Sequence, residues 1–192
     1  MEGKTVDEIE SADLVVFTGG EDVDPSLYDK RRHPTTSSNL ARDIYEKEYY
    51  EMARELNKAI IGICRGSQFL CVMNGGILVQ HQNNPSFLHN IQTIDGEYEI
   101  TSTHHQAAFP FVLPKENYQI LGWTDKMLPF HFGESFEEEL NPNPECEIVF
   151  YPKSRSLGIQ GHPEMMFHTI YQDKHRQTIN FLRKIMRKYL FN

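Results

Sequence analysis

Cysteine is scarce in this chain of 192 residues: there are three, an odd number, with no CxxC pair. That pattern excludes a disulfide scaffold or a zinc ribbon and leaves at least one thiol free. Positive charge is also in deficit, with 19 Lys and Arg against 27 Asp and Glu for a formal net charge of -8. No diffuse positive field exists to gather nucleic acid or anionic lipid, so neither is an expected partner. No apolar run approaches the roughly 20 residues of a spanning helix. The opening MEGKTVDEIESADLVV has neither a basic start nor an apolar signal segment. These absences set the expectation of a cytoplasmic protein with no membrane association. Internal repeats and long low-complexity tracts are missing too. What remains, 39% hydrophobic and 24% charged residues, suits one domain over residues 1–192, burying roughly 70% of its unfolded surface.

The chain reads as alternating strands and helices. DLVVF (Asp13 to Phe17) is a short apolar strand that stops at Thr18, Gly19 and Gly20, where the backbone is free to turn. Between Asn39 and Lys58, Tyr45, Tyr49, Met52 and Leu56 recur with helical spacing, which predicts that this face meets the core. Asn39 or Ser38 suits the N-cap. AIIGI (Ala59 to Ile63) is a second apolar strand that passes through Cys64, Arg65 and Gly66 into a helix ended by Gly75 and Gly76. ILVQH begins another extended piece. Further strands are expected at Tyr98 to Thr101 and Tyr118 to Trp123. Glu147 to Tyr151 and Leu157 to Gln160 read as a hairpin around PKSRS. The chain closes with a helix whose apolar face is Leu182, Ile185, Met186, Tyr189 and Leu190. Its Arg183, Lys184, Arg187 and Lys188 read as a solvated face. No structure is assigned to Glu134 to Pro144.

Chemistry concentrates at two places. Gly62-Ile63-Cys64-Arg65-Gly66 has the spacing of a nucleophile elbow, a strand turning sharply into a helix with small residues two positions either side of the tip. Cys64 at that tip lies near the positive end of the following helix, which favours the reactive thiolate. His162-Pro163-Glu164 supplies a base. In an extended segment residues i and i+2 share a side, so Glu164 can orient one imidazole nitrogen while the other faces the thiol. His104 and His105 are adjacent and therefore face opposite ways in an extended segment. With no HxH or HxxxH nearby they make no two-ligand pair, and neither metal nor cofactor is expected. Cys71 and Cys146 read as packing or surface thiols, and Tyr45 and Tyr49 as core contacts.

GICRGSQ together with GIQGHPE resembles the class I glutamine amidotransferase superfamily. FTGGEDVDPSLY, RDIYE, GICRGSQFLCVMNGG, QH and TSTHHQ resemble its gamma-glutamyl hydrolase branch, the peptidase C26 type. The matches run in the family's order from Phe17 to Glu164. The resemblance implies an α/β three-layer sandwich with a mostly parallel central sheet flanked by helices. It implies Cys64 as nucleophile, His162 as base and Glu164 as its orienting acid. It further implies an oxyanion hole from the backbone at Arg65 and the Gly19-Gly20 loop, and a substrate-binding region at Gln68, Ser102, Thr103 and His104. The implied reaction is hydrolysis of glutamine or another small gamma-glutamyl amide through a gamma-glutamyl thioester, without a cofactor. Arg65 after the cysteine, and the HHQ of His104 to Gln106, resemble the free-standing hydrolases rather than ammonia-delivering subunits. A guanidinium beside the elbow either lowers the thiol pKa or pairs with a nearby carboxylate.

Two departures shape the alternatives. Members of the family begin with a strand, a helix and a strand before the segment matching DLVVFTGG, whereas about a dozen residues precede it here. The expectation is a domain short at its N-terminus, with a sheet edge that self-association into a homo-oligomer would cover. The acidic stretch from Asp125 to Pro144, including FHFGESFEEEL, also diverges and is expected to shape the substrate entrance. The rival readings are a glutaminase subunit that passes ammonia to a partner synthetase, and a noncatalytic binding protein on the same fold.

Overall fold

The computed structural model describes residues 8–82, 87–124, 130–133, 143–168 and 172–191. Eleven strands and three α-helices follow in chain order: β1 Leu14–Phe17, α1 Leu40–Glu55, β2 Ala59–Ile63, α2 Arg65–Met73, β3 Ile77–Val79, β4 His81–Gln82, β5 Leu88–Thr93, β6 Gly96–Thr101, β7 Ala107–Phe109, β8 Gln119–Thr124, β9 Phe130–His131, β10 Glu145–Tyr151, β11 Ser156–Ile159 and α3 Gln172–Leu190. Seven strands form one sheet in the order β1-β2-β11-β10-β8-β5-β6. β3 pairs with β7 and β4 with β9 as small additional ribbons.

The sheet is mixed, which corrects the expectation of a mostly parallel one. Among the described residues only β1, β2 and β11 run parallel. β10, β8, β5 and β6 each pair antiparallel to their neighbours. Connection length accounts for two of these pairs: β10 and β11 are joined by Pro152 to Arg155, and β5 and β6 by Ile94 and Asp95. Such short links permit only hairpins, whereas parallel neighbours need a crossover. The α/β class with helices on both faces holds. Alternate residues of β2 show it directly. Ile60 joins Phe17, Tyr50, Phe69, Leu70 and Tyr151 under α1 and α2. Ala59 and Ile61 join Ile91, Ile100, Leu121 and Ile148 against Phe181, Leu182 and Ile185 of α3. Leu121 and Ile148 are fully buried, each contributing about 1.5–3 kcal/mol of apolar transfer.

The terminal helix forms as its pattern predicts. Leu182, Ile185 and Leu190 are buried, while Arg183, Lys184, Arg187 and Lys188 are exposed. Helix α1 does not. Tyr45, Tyr49 and Leu56 are exposed, and the buried face instead carries Asp43, Tyr50 and Ala53. Tyr45 and Tyr49 meet hydroxyl to hydroxyl at 3.1 Å on the surface rather than in the core. The reason lies across the interface, where Arg65 of α2 is buried and draws the acidic face of α1 inward. Asn39 caps α1, its side-chain oxygen accepting from the Arg42 N–H at 3.2 Å. Among the described residues no helix is long and apolar enough to cross a membrane. Residues 125–129 and 134–142, which hold most of the acidic stretch expected at the entrance, lie outside the described residues.

The three parallel strands position everything that follows. Phe17 of β1 and Gly158 of β11 both stand opposite Gly62 of β2. Their C-terminal ends therefore open side by side into the Gly19-Gly20 loop, the Cys64 turn and the segment leading to His162. The carboxyl ends of parallel strands are where ligands bind in open α/β sheets.

Candidate active site

Cys64 is the residue between β2 and α2, with φ 53° and ψ -110°. A non-glycine residue held there carries strain on the order of 1–3 kcal/mol, tolerated because the surroundings fix it. The neighbouring glycines are sterically required. A Cβ on Gly62 would fall 2.3 Å from the Gly66 carbonyl oxygen, and one on Gly66 would fall 2.1 Å from that of Phe17. The Cys64 N–H donates to the Ile159 carbonyl at 2.8 Å, and the Cys64 carbonyl accepts from Ser67 N–H at 2.9 Å to begin α2.

The sulfur is buried, and burial pushes the Cys64 thiol up to about 11, against the lowering effect of the Arg65 backbone N–H that donates to it. Burial therefore works against the thiolate that the helix end alone favours. Desolvation of the charged form outweighs the favourable dipole here, and Glu164, Asp22 and Glu147 add to it.

His162 and Cys64 line one pocket of about 320 Å³. His162 Nδ1 meets Glu164 Oε1 at 2.6 Å, although Glu164 itself is largely exposed. The pairing arises differently from the extended segment expected. Pro163–His168 is a 3-10 turn, and it folds the carboxylate back onto the ring. His162 Nε2 is buried without a hydrogen-bond partner. No hydrogen bond links it to Cys64 among the described residues. Gly19 packs between the two: a Cβ there would stand 3.3 Å from His162 Cε1 and 3.8 Å from Cys64 Cβ.

Gly20, Arg65, Gln68, Thr103 and His104 also line the pocket. The Gln68 amide nitrogen donates to the Gln106 carbonyl at 2.9 Å. Ser102 lies behind the lining, its hydroxyl 3.0 Å from His104 Nδ1. Gln160, which sequence reasoning passed over, is fully buried with its amide nitrogen 4.0 Å from Cys64 Sγ.

Of the two roles open to Arg65, the structure shows the ion pair. Its guanidinium is buried against Asp43 and Glu46 of α1 and lies over the Phe69 ring at 5.3 Å. Asp43 also accepts the Asp24 N–H at 2.8 Å. Arg42 extends this network, donating to Glu46 at 2.9 Å, to Glu21 at 2.8 Å and to the Gly19 carbonyl at 3.0 Å. One chain of charges thus ties the Gly19-Gly20 loop to the helix behind Cys64. RDIYE held this network in plain view, but its i, i+3 pair Asp43 and Glu46 gains meaning only once α2 lies beside α1.

The comparisons with known proteins show the family. Residues 2–108 match the sequence model of the family Peptidase C26. The glutamine amidotransferase-like protein YvdE of Lactococcus lactis is 32% identical over 84% of this chain and 70% of its own length. Protein NtpR of Enterococcus hirae is 32% identical over 52% of this chain, which spans only 52% of NtpR. A glutamine amidotransferase of Thermotoga maritima shares the fold, with a TM-score of 0.57 at 16% identity over 98% of this chain and 70% of that one. With its elbow, its parallel strand ends and this coverage, the chain belongs to the Peptidase C26 family of the class I glutamine amidotransferase-like superfamily.

Proposed function

We propose that the protein is a cysteine-dependent hydrolase of gamma-glutamyl amides, glutamine or a gamma-glutamyl amine, with Cys64 as nucleophile, His162 as general base and acid, and Glu164 as the group orienting His162. The observation that carries this reading is the strained Cys64 turn opening into the same pocket as His162, whose Nε2 is buried and unpartnered while Nδ1 is held by Glu164.

The chemistry follows from the resting thiol. With Glu164 accepting from Nδ1–H, the unprotonated Nε2 takes the Cys64 proton as Sγ attacks the amide carbon. The carbonyl oxygen becomes an oxyanion facing the N–H groups of Arg65 and the Gly19-Gly20 loop. Collapse breaks the C–N bond, and the imidazolium returns its proton to the departing ammonia or amine. Water, losing a proton to His162, then attacks the thioester, and Cys64 leaves as the protonated thiol. In this reading Thr103 and His104 of the pocket lining meet the glutamyl amino and carboxylate groups. Gln68 belongs to the same lining, and Ser102 holds His104 from behind it.

The test is glutamate release from a panel of gamma-glutamyl amides by the wild type and by Cys64→Ala. Turnover by the wild type alone, with both chains equally folded by circular dichroism, is expected. Equal turnover by Cys64→Ala removes Cys64 from the mechanism. Release only when a synthetase is added assigns the chain to the ammonia-supplying class.

A further inference from the structure

Behind the pocket wall lies a second cluster, two of whose members, Glu145 and Glu147, take no part in the proposed reaction. His104, Glu145 and Glu147 each present a ligating atom, all within 4.8 Å of one another and all buried. They come from distant parts of the chain. Glu145 and Glu147 are two residues apart on β10, where an irregularity in register between Cys146 and Ile148 accompanies the gathering of both carboxylates, while His104 sits in the loop before β7. His104 Nε2 is 3.3 Å from Glu145 Oε1. Glu147 is fully buried, with one oxygen 2.9 Å from His89 Nε2 and the other without a hydrogen-bond partner among the described residues. Two carboxylates gathered in a dry site repel each other, and an orphaned carboxylate oxygen there is costly unless a cation completes it.

We propose that His104, Glu145 and Glu147 form a site for a divalent first-row transition ion such as zinc. One imidazole and two carboxylates are donors such ions accept. Each would-be ligand is also held from behind. Ser102 Oγ is 3.0 Å from His104 Nδ1, so the hydroxyl can accept Nδ1–H in the tautomer that would offer the Nε2 lone pair to an ion. His89 holds Glu147, and the Gln82 amide donates to Glu145. Outer contacts of this kind fix the tautomer and orientation of metal ligands. Bonds near 2.0–2.1 Å in a tetrahedral site put donors roughly 3.3 Å apart, so small side-chain rotations close the present spacing. His104 lines the open pocket, which gives an ion a way in. An ion there would pin β10 to the loop carrying Thr103 and His104, joining the sheet to the substrate wall. The sequence could not show this trio, because 41 residues separate His104 from Glu145.

The test is equilibrium dialysis of the full chain against zinc chloride, with metal per chain read by mass spectrometry and the ligands by zinc-edge X-ray absorption. The site predicts one zinc per chain, bound by a single imidazole and oxygen donors. Cys64→Ala and His81→Ala should keep it. Glu147→Gln should weaken binding by about 100-fold, and Ser102→Ala by about 10-fold, as lost ligands and outer contacts do. A sulfur ligand, several imidazoles, undiminished binding in Glu147→Gln or no bound zinc would each overturn the assignment. Should Glu147→Gln fail to fold, the absorption spectrum of the wild type still decides.

Discussion

Gly20 and Arg42 compete for one volume: a Cβ built on Gly20 would come within 2.0 Å of Arg42 Nη1. Gly20 also has φ 148°, a region L side chains rarely enter. The loop of the proposed oxyanion hole is thus shaped by a guanidinium anchored on α1. Gly20→Ala should lower stability by about 1–3 kcal/mol through strain alone, and urea denaturation would read it. An unchanged midpoint would mean that the loop shifts to relieve the strain at this position.

Arg42 acts on the loop through the Gly19 carbonyl and through Glu21. Arg42→Ala should therefore reduce kcat on the order of 10- to 100-fold, as misplacement of about 1 Å does, with a smaller effect on KM. Steady-state kinetics separate the two. A change confined to KM would make Arg42 a substrate contact instead of a positioning residue.

Asp43 and Arg65 are both almost wholly buried, with side chains 0% and 2% exposed. Asp43→Asn leaves the guanidinium short of charge in a dry site, and such truncations cost about 3–5 kcal/mol. Thermal and chemical denaturation should show that loss. A shift below about 1 kcal/mol would indicate that Glu46 alone neutralises Arg65.

His33, His81 and His131 stack beside one another, with His33 and His81 centroids 5.0 Å apart. Burial, followed by the neighbouring imidazoles, holds His33 and His81 below their ordinary 6.5. The unfolded chain protonates first, so these residues make stability fall as pH drops from 6.5 through their lowered folded values. His105 has the opposite sign. Its hydrogen bond to Asp22 raises it, so its contribution is complete below 6.5 and is lost as pH climbs through the raised value. Denaturation between about pH 5 and pH 8 should show His81→Gln flattening the acid side and Asp22→Asn flattening the neutral side. Unaltered profiles in both variants would remove this cluster from the pH response.

The thiol of Cys64, at about 11, predicts that alkylation of the free protein by iodoacetamide accelerates about tenfold per pH unit well above neutrality. A plateau near pH 7 would instead signal a preformed thiolate and imidazolium pair.

Much of this was legible before any fold was drawn. AIIGI is apolar over its whole length because parallel neighbours and helices cover both faces of β2, and LVVF stands out beside it although β1 is the edge strand and leaves Val16 exposed. Cys64 and the HPE run are local signals, and their geometry follows from a few adjacent residues. The sheet's mixed direction was not local, since it depends on which strands meet after the hairpins form. Tyr45 and Tyr49 misled because helical periodicity counts apolar side chains, whereas α1 buries Asp43 toward a cation on another helix. The His104, Glu145 and Glu147 cluster depends wholly on β10 lying beside a distant loop.

The most direct measurement is intact-mass spectrometry after exposure to a diazo-ketone amino acid that mimics glutamine, comparing the wild type with Cys64→Ala. The account predicts a single adduct on the wild type, mapped to Cys64, and none on the variant. An adduct on Cys71 or Cys146, or equal labelling of both chains, would contradict it.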